Sequence, residues 1–186
     1  MKLNKNIKDS NLHIGSLLPN VDSYNGEERH GCYRKNIIIG NLIDLVEQGH
    51  LDIIIHGCNC FHVMGAGVAK EIKARYPRAY KADCGFTCKG DITKLGHYSW
   101  AIVSAPDGHT FTIINAYTQF KYGVGGPHVD YSAIKLVFEA IASQYTGKRI
   151  GYPLIGAGFG GGDWNIIQPI INTALQGMAH TLVTFK

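Results

Sequence analysis

The chain has 186 residues, 45% apolar and 17% charged, with a mean hydropathy of -0.04. That balance excludes a disordered, collagenous or coiled-coil polypeptide and predicts one globular domain whose core needs neither disulfide nor metal. Its 18 basic and 14 acidic residues leave +4 with no basic tract, which speaks against a nucleic-acid protein and suits a small anionic ligand. The longest apolar run, Leu51 to Ile55, is far short of the roughly 20 residues that cross a bilayer, so no membrane partner is expected. Five cysteines are an odd set behind a polar Met1 to Lys8 that is no secretory leader, and they predict reduced thiols in a cytoplasm.

Residues 1–35 are polar and lack any sustained period, so they read as an irregular extension with a short strand near His13 to Leu17, ahead of a domain spanning 36–186. Asn36 to Ile39 is a β-branched run ending at Gly40-Asn41, and Leu42, Ile43, Leu45 and Val46 then give a helix that stops at Gly49. Leu51 to Ile55, bounded by Gly49 and Gly57, reads as a strand buried on both faces. Val68, Ala69, Ile72 and Tyr76 recur at helical spacing up to Pro77, where a second helix runs to Asp83. Tyr98 to Ala105 and Thr110 to Ala116 are strands joined by Pro106-Asp107-Gly108-His109, an antiparallel hairpin signal. Ile134, Val137, Phe138 and Ile141 mark a helix, Arg149 to Leu154 a strand, Trp164 to Leu175 a helix and Thr181 to Phe185 a last strand. The alternation predicts an α/β fold with a mixed sheet.

Glycine is abundant, 23 residues, and much of it is clustered. His56-Gly57-Cys58-Asn59-Cys60-Phe61-His62-Val63-Met64-Gly65-Ala66-Gly67-Val68-Ala69 leaves a buried strand, passes through a loop and enters a helix. It reads either as a plain strand-to-helix turn or as an anion site built from backbone N–H groups and a helix N-terminus. Pro153-Leu154-Ile155-Gly156-Ala157-Gly158-Phe159-Gly160-Gly161-Gly162-Asp163-Trp164 repeats the arrangement, and two such loops on one sheet edge could grip one diphosphate. No G-K-[ST] follows and no G-x-G-x-x-G opens a first βαβ unit, which excludes Walker-type and dinucleotide-reductase readings.

From about Asn36 onward these residues resemble the macrodomain family, whose members bind ADP-ribose. The resemblance rests on Gly40-Asn41-Leu42 after the first strand, Asn59 before Gly65-Ala66-Gly67-Val68, and Gly156 to Gly160 after a late strand. Ile55 to Cys60, Gly67-Val68-Ala69 and Arg75-Tyr76-Pro77 look most like the ADP-ribose-1''-phosphate phosphatase branch and its bacterial and phage relatives. The resemblance implies a three-layer α/β/α fold with a mixed central sheet. It also implies a ligand-contact set of Gly40, Asn41, Leu42, Gly57, Cys58, Asn59, Met64, Gly65, Ala66, Gly67, Val68, Ile155, Gly156, Ala157, Gly158, Phe159 and Gly160. Asn41 would face the adenine amine, the two glycine loops would hold the diphosphate, and Asn59 would meet the distal ribose.

The sequence also departs from the family. Many macrodomains carry Asp where Asn41 stands, and several place an aromatic residue over the distal ribose where Gly160 and Gly161 offer no side chain, which predicts room at the anomeric carbon. The Lys and Asp pair that frees ADP-ribose from glutamate lacks its acid at Gly160, which disfavours that route.

The resemblance assigns catalysis to Asn59 and His56, with no cofactor and no metal. His56 reads either as an acid or base beside a terminal phosphate or as a core histidine bonded to a neighbouring carbonyl. His62 reads as a rim residue, Asp163 as a helix-start residue, and Lys121 and His128 as members of a cleft-edge loop. Cys58, Cys60, Cys84 and Cys88 fit no standard zinc spacing. Two functions share these residues: hydrolysis of ADP-ribose-1''-phosphate or another 1''-linked adduct, and sequestration of ADP-ribose or its derivative without turnover. A monomer is expected in either case.

Overall fold

The computed structural model describes residues 37–185, so the expected extension over 1–35, its short strand and Cys32 lie outside the described residues. Six strands form one sheet in the order β1-β6-β5-β2-β4-β3. They are β1 Ile37–Ile39, β2 Ile53–Asn59, β3 Tyr98–Ser104, β4 Thr110–Gln119, β5 Ile150–Tyr152 and β6 His180–Thr184. Every neighbouring pair is parallel except β3 with β4. That exception is the expected hairpin, closed by Ala105 N–H donating to the His109 carbonyl at 2.8 Å, with Gly108 at φ +93°.

Helices cover both faces. Alternation along the central strand decides which residues each layer receives. Ile53 and Ile55 of β2 pack with Ile114 of β4 against α4 (Tyr131–Gln144) and α5 (Trp164–Ala174). Ile54, one residue out of phase, joins Ile113 and Val183 against α1 (Leu42–Glu47), α2 (Gly67–Arg75) and α3 (Pro77–Phe86). The architecture is therefore α/β/α, as expected. A continuous apolar run fits this position because β2 is buried on both faces.

Two strands outrun their apolar runs. β2 continues past His56, where the sequence reading ends the strand, through Gly57, Cys58 and Asn59, and β4 continues to Gln119 rather than ending at Ala116. The extension is held by pairing along His56↔Asn115, Gly57↔Ala116, Cys58↔Tyr117 and Asn59↔Gln119, with a register shift between Cys58 and Asn59. Among the described residues no helix is long and apolar enough to cross a membrane.

Candidate functional site

β2 and β5 are parallel neighbours. The chain leaves β2 into α2 on one face of the sheet and leaves β5 into α5 on the other. Connections that part to opposite faces open a crevice at the carboxyl edge of the strands, where α/β folds collect ligands. Here that crevice comprises two adjoining cavities of about 360 and 580 Å³, which share Gly57, Ala66, Ala69, Gln119 and Phe159. Gly57 belongs to the wall of both, and a Cβ there would come within 3.1 Å of Thr118 Oγ1 and 3.3 Å of Ile155 Cγ2. The missing side chain at this point lets Thr118 and Ile155 pack close to the strand.

One wall is the N-terminus of α2. Its N-cap, Ala66, supplies no side-chain acceptor, and Lys70 N–H is bonded back to the Ala66 carbonyl at 3.2 Å. The N–H groups of Gly67, Val68 and Ala69 therefore have no intrahelical acceptor, and all three residues line the smaller cavity. The opposite wall is the loop after β5. Within it Ile155, Ala157, Gly161 and Gly162 donate to carbonyls of the same loop. The N–H groups of Gly156, Gly158, Phe159 and Gly160 find no acceptor among the described residues, and all four residues line the same cavity. Among the described residues no carboxylate lines either cavity. Two sets of donors around an acid-free cleft suit an extended anion such as a diphosphate.

The glycines of the second loop have different tasks. Gly156 is left-handed at φ +77°, and a Cβ there would lie 2.6 Å from Val129 Cγ2. A Cβ at Gly160 would lie 2.6 Å from the Gly156 carbonyl oxygen, and one at Gly161 would lie 3.1 Å from Pro127 Cα. The loop's own backbone and Pro127 thus occupy the space that a side chain at either of these two residues would need. Gly158 alone of these has open space around it. Phe159, 79% exposed, lays its ring 3.5 Å from the position of a Gly67 Cβ and so spans the two loops.

His56 lies on the cavity wall yet is 1% exposed. Asn115 spends its amide hydrogens on the Ala79 carbonyl and Ser99 Oγ, both at 2.9 Å, so its oxygen accepts from His56 Nε2 at 2.7 Å. Burial pulls the imidazole pKa from 6.5 down to about 4, only partly offset by that bond and by the Asp83 charge. The ring is neutral at pH 7 and tied into the core through Asn115. Cys58 Sγ packs 3.6 Å from the same ring, and burial raises its pKa well above the ordinary thiol value. Burial likewise raises Cys60 to about 11, so neither thiol is a nucleophile near neutral pH.

A neutral folded histidine has a measurable consequence. The unfolded imidazole takes up a proton near pH 6.5, and the folded one only near 4. Stability is therefore complete above about pH 6.5 and falls as pH drops toward 4, by up to about 3 kcal/mol. Urea denaturation at pH 7.5 and 5 should show this loss in the parent and much less of it in His56→Gln; equal losses would refute the assignment.

Asn59 is turned into its own loop. Its Oδ1 accepts from Phe61 N–H at 2.9 Å and Val63 N–H at 3.3 Å, and its Nδ2 donates to the Val63 carbonyl at 2.8 Å, leaving one amide hydrogen for the larger cavity it lines. The remaining expected contacts separate. Gly65, Ala66, Gly67, Val68, Ile155, Gly156, Gly158, Phe159 and Gly160 line the cleft. Gly40, Asn41, Leu42, Cys58 and Ala157 do not, and Met64 lines a neighbouring cavity. Leu42 is buried core at 1% exposure. Asn41 is the α1 N-cap, accepting from Ile43 N–H at 2.8 Å and donating to Glu71 at 3.3 Å.

Asp163 caps α5 through Asn165 N–H at 2.8 Å. His128 serves the cleft edge through its backbone, its N–H and that of Val129 donating to the Gly160 carbonyl. Gln119, Tyr122 and Val124 of the larger cavity fall in the segment 117–127 that the sequence reads as a cleft-edge loop, whereas sequence reasoning missed Leu154, Thr184 and Phe185 in the smaller. Phe185, an aromatic directly after the last strand, was the one visible signal among them.

The model of the family described as Macro domain matches residues 55–171. An uncharacterized 17.5 kDa protein of the tk-vs intergenic region of Enterobacteria phage T4 is 39% identical over 153 residues, 80% of this chain and 95% of that relative. The DNA ADP-ribosyl glycohydrolase of Mycobacterium tuberculosis is 26% identical over 127 residues, 67% of this chain and only 35% of that protein. This chain therefore spans about a third of that enzyme's length. Among solved structures, the macrodomain of Thermus aquaticus DarG superposes with a TM-score of 0.60 at 21% identity, covering 82% of this chain and 98% of that one. Thermosipho africanus DarTG in complex with ADP-ribose gives 0.59 at 18% identity over 82% of this chain and 42% of that one. At such identities these structures establish the shared fold.

Proposed function

We propose that this chain, which belongs to the macrodomain family, binds ADP-ribose along the cleft and hydrolyses an adduct carried on the distal ribose. One observation carries the reading: two sets of unengaged backbone N–H groups, those of Gly67 to Ala69 and those of Gly156, Gly158, Phe159 and Gly160, line one cavity to which the described residues contribute no carboxylate. They take the diphosphate. The adenosine lies toward Leu154, Thr184 and Phe185, and the distal ribose enters the larger cavity, where the spare Asn59 amide hydrogen reaches a hydroxyl. Residues 36–186 suffice for this, acting as a monomer in a reducing cytoplasm.

The reaction is attack of water on the 1''-linked adduct, ADP-ribose-1''-phosphate being the simplest, to give ADP-ribose and the released group. With His56 neutral and buried, catalysis rests on orientation and on donors fixed at the developing charge, not on a protein acid or base. The related mycobacterial glycohydrolase supports turnover of some ADP-ribose adduct.

A second reading, a reader that holds ADP-ribose without turnover, is favoured by the lack of an ionised acid or base among the described residues of the cavity walls. Calorimetric titration with ADP-ribose should give one site per chain, and phosphate release from the 1''-phosphate should persist in EDTA. Absent binding refutes the assignment; binding without release leaves the reader.

A further inference from the structure

A third cavity, of about 380 Å³, meets the larger one at Val63 and Gly65, beyond the place assigned to the distal ribose. Among the described residues its ionised side chains are all basic. Lys73 projects from α2 and Lys89 from the segment after α3, and both line it. Neither is ion-paired with a carboxylate among the described residues. The acids nearest in sequence are engaged elsewhere: Glu71 accepts from Asn41 and Arg75, and Asp91 from the N–H and hydroxyl of Thr93.

The two lysines have a poised neighbour. Lys73 Nζ stands 3.7 Å above the centre of the Tyr80 ring, which draws the ammonium toward the wall. His62 lines the same cavity, and its Nε2 is buried without a hydrogen-bond partner. It is also the one non-glycine residue of the described chain with positive φ, at +59°. A bulky side chain held in the left-handed region and left with an unmet polar atom is costly in the absence of a ligand.

We propose that this cavity is a phosphate subsite beyond the distal ribose, so that the protein selects adducts whose attached group carries a phosphate oxyanion. The inference rests on the ADP-ribose reading for its position and on the two ammonium groups and the unpartnered imidazole for its chemistry. Charge-assisted donors on several sides suit a tetrahedral anion. The phosphate belongs either to a monoester at C1'' or to the phosphodiester of an attached polynucleotide; both meet the same donors.

The test compares ADP-ribose, ADP-ribose-1''-phosphate and a short ADP-ribosylated oligonucleotide on the parent and on Lys73→Ala/Lys89→Ala, both substitutions being at exposed positions. At low salt at least one phosphate-bearing ligand should bind the parent about tenfold tighter than ADP-ribose, and the double variant should erase that gain while keeping ADP-ribose affinity. Which ligand shows the gain tells the monoester from the phosphodiester. No gain with either, or a gain kept by the variant, overturns the subsite.

Inorganic phosphate supplies an arm independent of ADP-ribose. It should shift the His62 imidazole resonances in the parent and not in the double variant. A lysine-dependent shift in a protein that fails to bind ADP-ribose would overturn the ADP-ribose reading and leave the subsite standing; no shift would overturn the subsite alone.

Discussion

Gly158→Trp should fold as the parent does and lose ADP-ribose affinity by at least about 100-fold, whereas Gly156→Val, two residues away in the same loop, should fail by unfolding. A Cβ at Gly158 meets nothing within 4 Å, so the indole is accommodated at no cost to the core and occupies the cavity that this glycine lines. Gly156 has φ +77° and would drive a Cβ to 2.6 Å from Val129 and 3.2 Å from Ile167. Left-handed strain costs about 1–2 kcal/mol and overpacking about 1–3 kcal/mol, so roughly 2–5 kcal/mol of stability is lost. Thermal denaturation and calorimetric titration of both variants decide the matter. Parent-like binding by Gly158→Trp would remove the second glycine loop from the binding site.

Lys94→Met should destabilise the protein by about 3–5 kcal/mol, as removal of one member of a buried ion pair does. Lys94 and Asp83 are 0% and 1% exposed, their charges 2.7 Å apart. The ammonium also donates to the Asp83 carbonyl at 3.2 Å and stands 4.2 Å from the centre of the Tyr117 ring. Asp83 Oδ2 already lacks a partner, so the variant leaves a carboxylate in the core with still less to hold it. Lys94→Met/Asp83→Leu should recover most of the loss, because no charge then remains to desolvate. Urea denaturation of the parent, single and double variants measures the cycle; a single variant within 1 kcal/mol of the parent would mean that water reaches the pair. Tyr117 packs with Cys58, Cys60 and Met64 under the loop leading to α2, so this pair also braces one wall of the cleft.

Local patterns were legible where one kind of force dominates. The run Ile53 to Ile55 announced a strand buried on both faces, and Pro-Asp-Gly-His announced the hairpin. Gly57 to Asn59 did not read as strand because glycine and asparagine disfavour extended structure on their own. Pairing with residues 116–119 overrides that preference. Asn115 was invisible as a partner of His56 because 59 residues separate them, and only the register of β2 against β4 makes them neighbours.

The sequence by itself determined the alternation of strands and helices, the two glycine loops, and the motifs that place the chain in its family. Each of these is written in residue types over short spans. Tertiary structure alone decided which donors remain free: Asn59 is largely consumed by its own turn and Asn41 by its helix cap and Glu71, while the N–H groups of Gly67 to Ala69 and Gly158 to Gly160 are left to the cleft. It also decided that Gly156 and Gly160 serve packing where Gly158 faces open space, and that Lys73, Lys89 and His62 line one cavity. The physical reason is the same in each case. A polar group can meet a ligand only if no protein atom has already met it, and which atoms lie close enough is settled by how distant segments pack.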